Sequence, residues 1–181
     1  MAAAAELEAA DVVASLNALA TDGLVSHEAG VFGGWAITDA GRRSDAEWVA
    51  GGLEGVRGRV GVTDLYESFL TLNPKLLQVC HDWQIQTAGR AHIPNDHRDA
   101  RYDSRVIDRL VTIDGSAQTI LASLSGRLPR FGSYGRRLAA ALERVEGGQH
   151  AYFADHLESY HTVWFQLHED LLVTLGLERG A

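Results

Sequence analysis

Apolar residues that recur every three or four positions constrain this chain more than any other feature. Leu157, Tyr160, Trp164, Leu167, Leu171 and Leu175 form one such series near the C-terminus. An α-helix gathers positions i, i+3, i+4 and i+7 on one face, so the spacing predicts a helix closed by Gly176. A second series, Leu65, Phe69, Leu72, Leu76, Cys80 and Trp83, is interrupted by Asn73-Pro74. Asparagine is a good N-cap and proline suits the first helical position, which predicts one helix ending near Leu72 and another beginning at Pro74. A third helix is expected from about Tyr102 to Ser125, with Val106, Leu110, Ile113, Ala117, Ile120 and Leu124 facing inward and Gly115 a weak point. Ser133 is expected to cap a fourth, ended by Gly147-Gly148. Helices with one apolar stripe must bury it against one another, so residues 62–181 are expected to form a helical domain. Residues 86–101 read as a polar loop between its helices.

The first third is patterned differently. Residues 3–21 contain neither glycine nor proline and place Leu7, Val12, Val13, Leu16 and Leu19 at helical spacing, before a stop at Gly23. Leu24–Ser26 and Trp35–Thr38 are short strand candidates around Gly30, Gly33 and Gly34, the pattern of a hairpin. Residues 51–61 hold five glycines and read as a linker, so the chain is expected to divide into a module over 1–50, the linker, and the helical domain.

Composition narrows the class. The 181 residues suffice for a core without disulfides, and the single cysteine, Cys80, excludes an internal disulfide and a thiolate metal cage. No apolar run approaches the roughly 20 residues that span a bilayer, and the N-terminus lacks the marks of a signal peptide, so a cytoplasmic location without membrane contact is expected. Acidic residues outnumber basic ones by 24 to 16, for a formal charge of −8. That balance opposes binding to phosphate polymers unless positive charge is locally concentrated.

Asp11 to Arg43, DVVASLNALATDGLVSHEAGVFGGWAITDAGRR, resembles the recognition helix and wing of MarR-like winged-helix regulators. The resemblance rests on Leu16, Leu19, Gly23-Leu24-Val25, the glycine hairpin, Trp35, Thr38 and Gly41-Arg42. It implies a mainly α protein: an incomplete winged-helix-like N-terminal module with a small β-hairpin, followed by a C-terminal helical bundle. The module is expected to be incomplete because ten residues precede Asp11, where a full one presents two further helices. The first 41 residues also carry six acidic groups and no lysine or arginine. A groove-binding helix works by neutralising phosphates, so DNA is not an expected partner of the isolated chain. The phrases FLTLNPKLLQVCHDWQ, NDHRDARYD and SYHTVWFQLHEDLL are similar to a helical extension found with winged-helix segments in high-GC bacteria, some beside pyruvate phosphate dikinase-type enzymes. That similarity implies architecture and no particular chemistry.

Candidate chemistry lies in three places. The final helix sets His161 and His168 beside Tyr160, Trp164 and Glu169, where both imidazoles could border a pocket. Seven residues, roughly 10 Å, separate the histidines, too far for one metal. The Glu158-x-x-His161 pattern lacks the second motif that a di-iron site needs. Asn95-Asp96-His97, with Asp99, Tyr102 and Asp103 nearby and Trp83 upstream, could supply a general base with an orienting carboxylate or hold a ligand's polar end. Arg130 and Tyr134 could hold an anion. Expected catalytic residues are therefore His161, His168, Asp96 and His97. Expected ligand contacts are Trp83, Tyr102, Arg130, Tyr134, Tyr160, Trp164 and Glu169, with no cofactor and no metal. Cys80, on an inward stripe, reads as a packed thiol.

Three functions follow as expectations. The first is a small-molecule-binding protein on a regulator-like scaffold, its pocket lying between C-terminal helices. The second is an enzyme performing cofactor-free acid–base chemistry on a small metabolite. The third is an interaction module whose incomplete winged helix is completed by a partner, including a second copy in a homodimer.

Overall fold

The computed structural model describes residues 8–30, 33–52, 56–88 and 91–177. Seven α-helices and two small antiparallel hairpins occur among them, so the protein is mainly α. In chain order they are α1 (Ala9–Thr21), β1 (Val25–Glu28), β2 (Gly34–Ile37), α2 (Asp39–Gly52) and α3 (Val56–Gln84). Then follow β3 (Ile85–Ala88), β4 (Ala91–Pro94), α4 (Ala100–Ser125), a 3-10 turn (Pro129–Phe131), α5 (Gly132–Glu146), α6 (Ala151–Ala154) and α7 (Tyr160–Leu175). The chain divides into two compact units, one running to Arg59 and including the C-terminal stretch from Leu172, the other spanning Val60–Leu171.

In the N-terminal unit, α1 ends where Gly23 turns left-handed (φ +72°), a conformation open to glycine at no steric cost. The chain then enters the β1–β2 hairpin, where Val25 pairs with Ile37 and His27 with Trp35, whose rings lie 4.5 Å apart. Thr38 joins the hairpin to α2. Its backbone N–H donates to Leu24 O (3.0 Å), its hydroxyl lies 2.7 Å from Gly23 O, and its Oγ1 accepts from Gly41 N (3.0 Å). The threonine thereby caps α2 in the usual N-cap manner. Among the described residues of 8–52, Gly41 alone is buried, and a Cβ built there would collide with the Leu24 carbonyl and Ile37. Helix α1 buries none of its residues, and Val13, Leu19, Ile37 and Trp48 remain exposed. Residues 3–7 of the expected first helix and the glycines at 51–61 lie partly outside the described residues.

The second unit holds the main core. Phe69, Leu72, Leu76, Val79 and Trp83 of α3, Val106, Leu110, Ile113, Ala117, Leu121 and Leu124 of α4, Leu138 and Val145 of α5, and Tyr160, Val163, Trp164, Leu167 and Leu171 of α7 are all buried. At about 25 cal/mol per Å² of apolar surface, these side chains supply the main driving force for folding. Four local departures from expectation have physical causes. Helix α3 runs through Pro74 unbroken. The lost N–H and ring clash cost about 3 kcal/mol, offset here by Leu72 and Leu76 buried on either side and by Trp164 Nε1 donating to Asn73 Oδ1 (3.1 Å). In α4 Leu121, not Ile120, takes the fully buried place. Helix α5 grows directly from the 3-10 turn, so Ser133 sits inside its first turn and donates to Arg130 O (3.0 Å) rather than capping it. Leu157 precedes α7 and is 83% exposed, outside the stripe.

Within the expected polar loop 86–101 the chain instead carries most of the β3–β4 hairpin, with Ile85 opposite Pro94 and Thr87 opposite His92. Asp99 then caps α4 by accepting from Arg101 N and Tyr102 N, both at 3.0 Å. Arg137 braces α5 against the segment before α7, donating to both oxygens of Glu158 (2.8 and 3.1 Å) and to Gln166 (2.7 Å). No helix among the described residues is long and apolar enough to cross a membrane.

Cys80 is buried in α3, and burial pushes its thiol from an ordinary 9.0 up to about 11. The native state thus favours the protonated thiol, and this contribution is lost as pH rises from about 9 through 11. The thiolate is the nucleophile, so alkylation by iodoacetamide at pH 8 is expected to be at least about a hundredfold slower in the native protein than in urea. Equal rates in the two states, read by mass spectrometry, would place the thiol at the surface.

Candidate functional site

The sequence-selected polar residues separate into a core group and a clustered group. Tyr160 is fully buried and donates to Asp114 Oδ1 (3.0 Å), with its phenol held well above the ordinary range by burial and then by that carboxylate. Trp164 stacks on Phe69 with centroids 4.6 Å apart. His168 lies beside the same phenylalanine (5.6 Å) and Tyr66 (6.1 Å). Glu169 and His161 are half-buried on α7. Arg130 and Tyr134 converge on Asp170: Arg130 Nε and Nη2 reach Oδ1 at 3.3 and 3.2 Å, and the Tyr134 hydroxyl donates to Oδ2 (3.1 Å). Burial first, and Asp170 second, raise the Tyr134 phenol. These groups tie helices together. Tyr160 and Trp164 are buried in the core.

The clustered group forms where the β3–β4 hairpin returns to α4. Trp83, at the end of α3 and 2% exposed, stacks face to face on Phe153 (4.3 Å, interplanar angle 3°), lies tilted against His97 (4.4 Å, 39°) and meets His150 nearly at right angles (5.1 Å, 86°). Asn95 is buried and organises the turn. Its amide nitrogen donates to Trp83 O (2.9 Å) and Asp103 Oδ1 (2.8 Å), while its oxygen accepts from Gln86 Nε2 (2.6 Å) and His97 N (3.1 Å). Its two amide protons are then fully used, so the nearby His97 Nδ1, at 3.2 Å, receives none of them. That nitrogen instead lies 3.1 Å from Asp103 Oδ2, an ion-pair-type contact in which Nδ1–H donates to the carboxylate. His97 is the one non-glycine residue with positive φ (+56°) among the described residues. The turn therefore holds its imidazole in place at some conformational cost.

Asp96 does not join the cluster. It is exposed and pairs with Arg98, through the backbone N–H at 3.2 Å and the guanidinium at 3.5 Å. Tyr102 turns toward the end of α3, donating to Asp82 O (2.8 Å), and Arg109 Nη1 pairs with Asp82 Oδ2 (2.5 Å). The orienting carboxylate of His97 is Asp103, a turn into α4. His150, immediately before α6, completes the group, its ring 5.5 Å from that of His97. Nothing in the local sequence around His150 marks it as a site residue, because it is brought in by the fold from beyond Gly147-Gly148.

A separate groove of about 470 Å³ lies between α3 and α4. Pro74, Val79 and Ile113 supply its apolar floor, and Lys75, Gln78, Arg109 and Thr112 its polar lining. Lys75 is the only lysine in the chain. None of its lining residues was expected from sequence as a ligand contact: Ile113 reads as core, Pro74 as a helix start, and Lys75, Gln78, Arg109 and Thr112 as surface positions flanking the stripe.

Neither a family model, nor a curated protein, nor a solved structure matches this chain.

Proposed function

We propose that this is a cytoplasmic small-molecule-binding protein on a winged-helix-like regulatory scaffold, and that its ligand is a small organic anion seated in the α3–α4 groove. The observation that carries this reading is the pairing of an apolar floor with two cations, Lys75 and Arg109, in a chain of net charge −8. The groove's volume falls within the usual range for small-molecule sites, and apolar walls with a few polar groups are their usual makeup. A ligand with a ring or short aliphatic body and one carboxylate would bury the body on Val79 and Ile113 and offer its charge to the two cations. Helix α1 carries Asp11 in its first turn and no basic residue in its last, so contact with DNA phosphates is not part of this proposal.

A thermal-shift panel of aromatic and aliphatic carboxylates, each paired with its uncharged amide, tests this assignment. At least one acid is expected to raise Tm while its amide does not, and the shift is expected to vanish in Lys75→Met/Arg109→Met. Arg109 is 47% exposed and its partner Asp82 half-buried but also bonded to Gln78, and solvent-accessible ion pairs contribute about 0–1 kcal/mol, so the double variant is expected to remain folded. A panel without any stabilising acid, or an unchanged response in the double variant, sinks the assignment.

A further inference from the structure

We infer that His97, Asp103 and His150 form a binding site for a divalent transition-metal ion of the zinc type. Each residue offers one ligand atom, and the three atoms all lie within 4.8 Å of one another. The inference goes beyond the anion groove and does not depend on it.

Two imidazoles and one carboxylate are a donor set suited to zinc and its first-row neighbours, and three protein ligands leave a position open for water or an oxygen-donor ligand. In a tetrahedral site with bonds of about 2.0–2.2 Å, neighbouring ligand atoms stand roughly 3.3 Å apart. His97 Nδ1 and Asp103 Oδ2, at 3.1 Å, already form one such edge. The ion would replace the proton now shared along it, and that proton leaves to solvent, as metal binding to imidazole requires. His150 offers the third ligand atom, within 4.8 Å of the other two.

The surroundings are those of a built site. Metal-binding carboxylates are usually held by a hydrogen bond on their other oxygen. Asp103 is 5% exposed, and its Oδ1 accepts from Asn95, itself anchored to Trp83 O and Gln86. A buried carboxylate facing two imidazoles is costly to leave without positive charge, and an ion at this point supplies it. Trp83 and Phe153 back the cluster with apolar surface, while the His97 side chain keeps 32% of its surface open, leaving an entry path. The left-handed backbone at His97 is the remaining observation: strain of this kind persists where the surroundings dictate it, and here it aims an imidazole at the carboxylate.

The full chain, stripped with chelator and reloaded with zinc alone, should retain one ion per chain after desalting. Cobalt in its place should give the visible absorption of a four- or five-coordinate centre. The substitutions His97→Asn, Asp103→Asn and His150→Gln should each weaken zinc binding at least about tenfold, the effect reported for disturbing metal-site supports at the least. Asparagine tolerates the left-handed backbone at position 97, and asparagine at 103 keeps the side chain's shape, so these variants test the donors and not the fold. His92→Gln, at an exposed hairpin position, should bind as the parent does. Failure to retain zinc, or retention unaffected by all three substitutions, overturns the site. Because the probe is the metal alone, either result stands apart from the outcome of the carboxylate panel.

Discussion

Trp83→Ala is expected to remove about 3–5 kcal/mol of stability, the range for deleting a large aromatic from a packed core. The indole is 2% exposed and is stacked on Phe153 on one face, with His97 and His150 against it. Its removal leaves a cavity bounded by elements that cannot all collapse inward, because α3, α4 and the hairpin are tied together by the Asn95 and Tyr102 hydrogen bonds. Folded domains have about 5–15 kcal/mol in hand, so the loss should be a large fraction of the total and readily measured. Urea denaturation followed by circular dichroism measures it. Trp48→Ala is the comparison: that residue is 68% exposed, and its truncation should change the midpoint little. A loss below about 1 kcal/mol for Trp83→Ala would contradict the packing described.

Gly41→Ala should disrupt the N-terminal unit while leaving the second unit folded. The added methyl would overlap the Leu24 carbonyl and come within 2.8 Å of Ile37 Cγ1. A flexible side chain could turn away, but the Leu24 backbone carbonyl, which accepts from the Thr38 N–H, cannot do so without displacing the residue that caps α2. Overpacking usually costs about 1–3 kcal/mol, and a backbone obstacle places this case at the upper end or above. Helix α1 buries nothing, so the unit has little apolar burial with which to absorb the loss. Hydrogen exchange should quicken across β1 and β2 while protection in α4 stays unchanged. Gly115→Ala, in an exposed helical position with open space for a Cβ, should by contrast be neutral or stabilising by up to about 1 kcal/mol. Uniform loss of protection in both units with Gly41→Ala would show that they unfold as one.

The helices of the second unit were legible because burial on one face imprints a 3.6-residue period, and most of the residues selected on that basis are core residues. The period cannot fix ends, which is why the stripe extends to Leu157, and it does not separate adjacent positions at the stripe's edge, which is why it points to Ile120 where Leu121 is the buried residue. Proline at 74 signalled a break under a local rule, and buried neighbours on both sides overrode it. The β3–β4 hairpin left no trace in the pattern because β4 is exposed along its whole length, and a strand with no buried face has no apolar alternation to read. Tyr160 and Trp164 show the limit of reading chemistry from residue type. A polar tip on an aromatic ring suits a ligand site, yet Asp114 and Asn73 satisfy both tips inside the core. In the segment Asn95-Asp96-His97 the turn decides which carboxylate faces the imidazole: Asp96 is exposed and Asp103 comes round on α4. His150 required the tertiary structure.

The positive φ at His97 sets two demands on one residue against each other. A side chain with a Cβ pays roughly 1–2 kcal/mol to sit in the left-handed region, and glycine pays nothing there. Glycine at position 97 would relieve that strain, but it would also remove the imidazole that donates to the buried Asp103 carboxylate and packs on Trp83, a loss of comparable size. The residue is thus held between a backbone that resists it and two contacts that need it, so a thermostabilising library built on this chain gains little at position 97 and should hold it fixed.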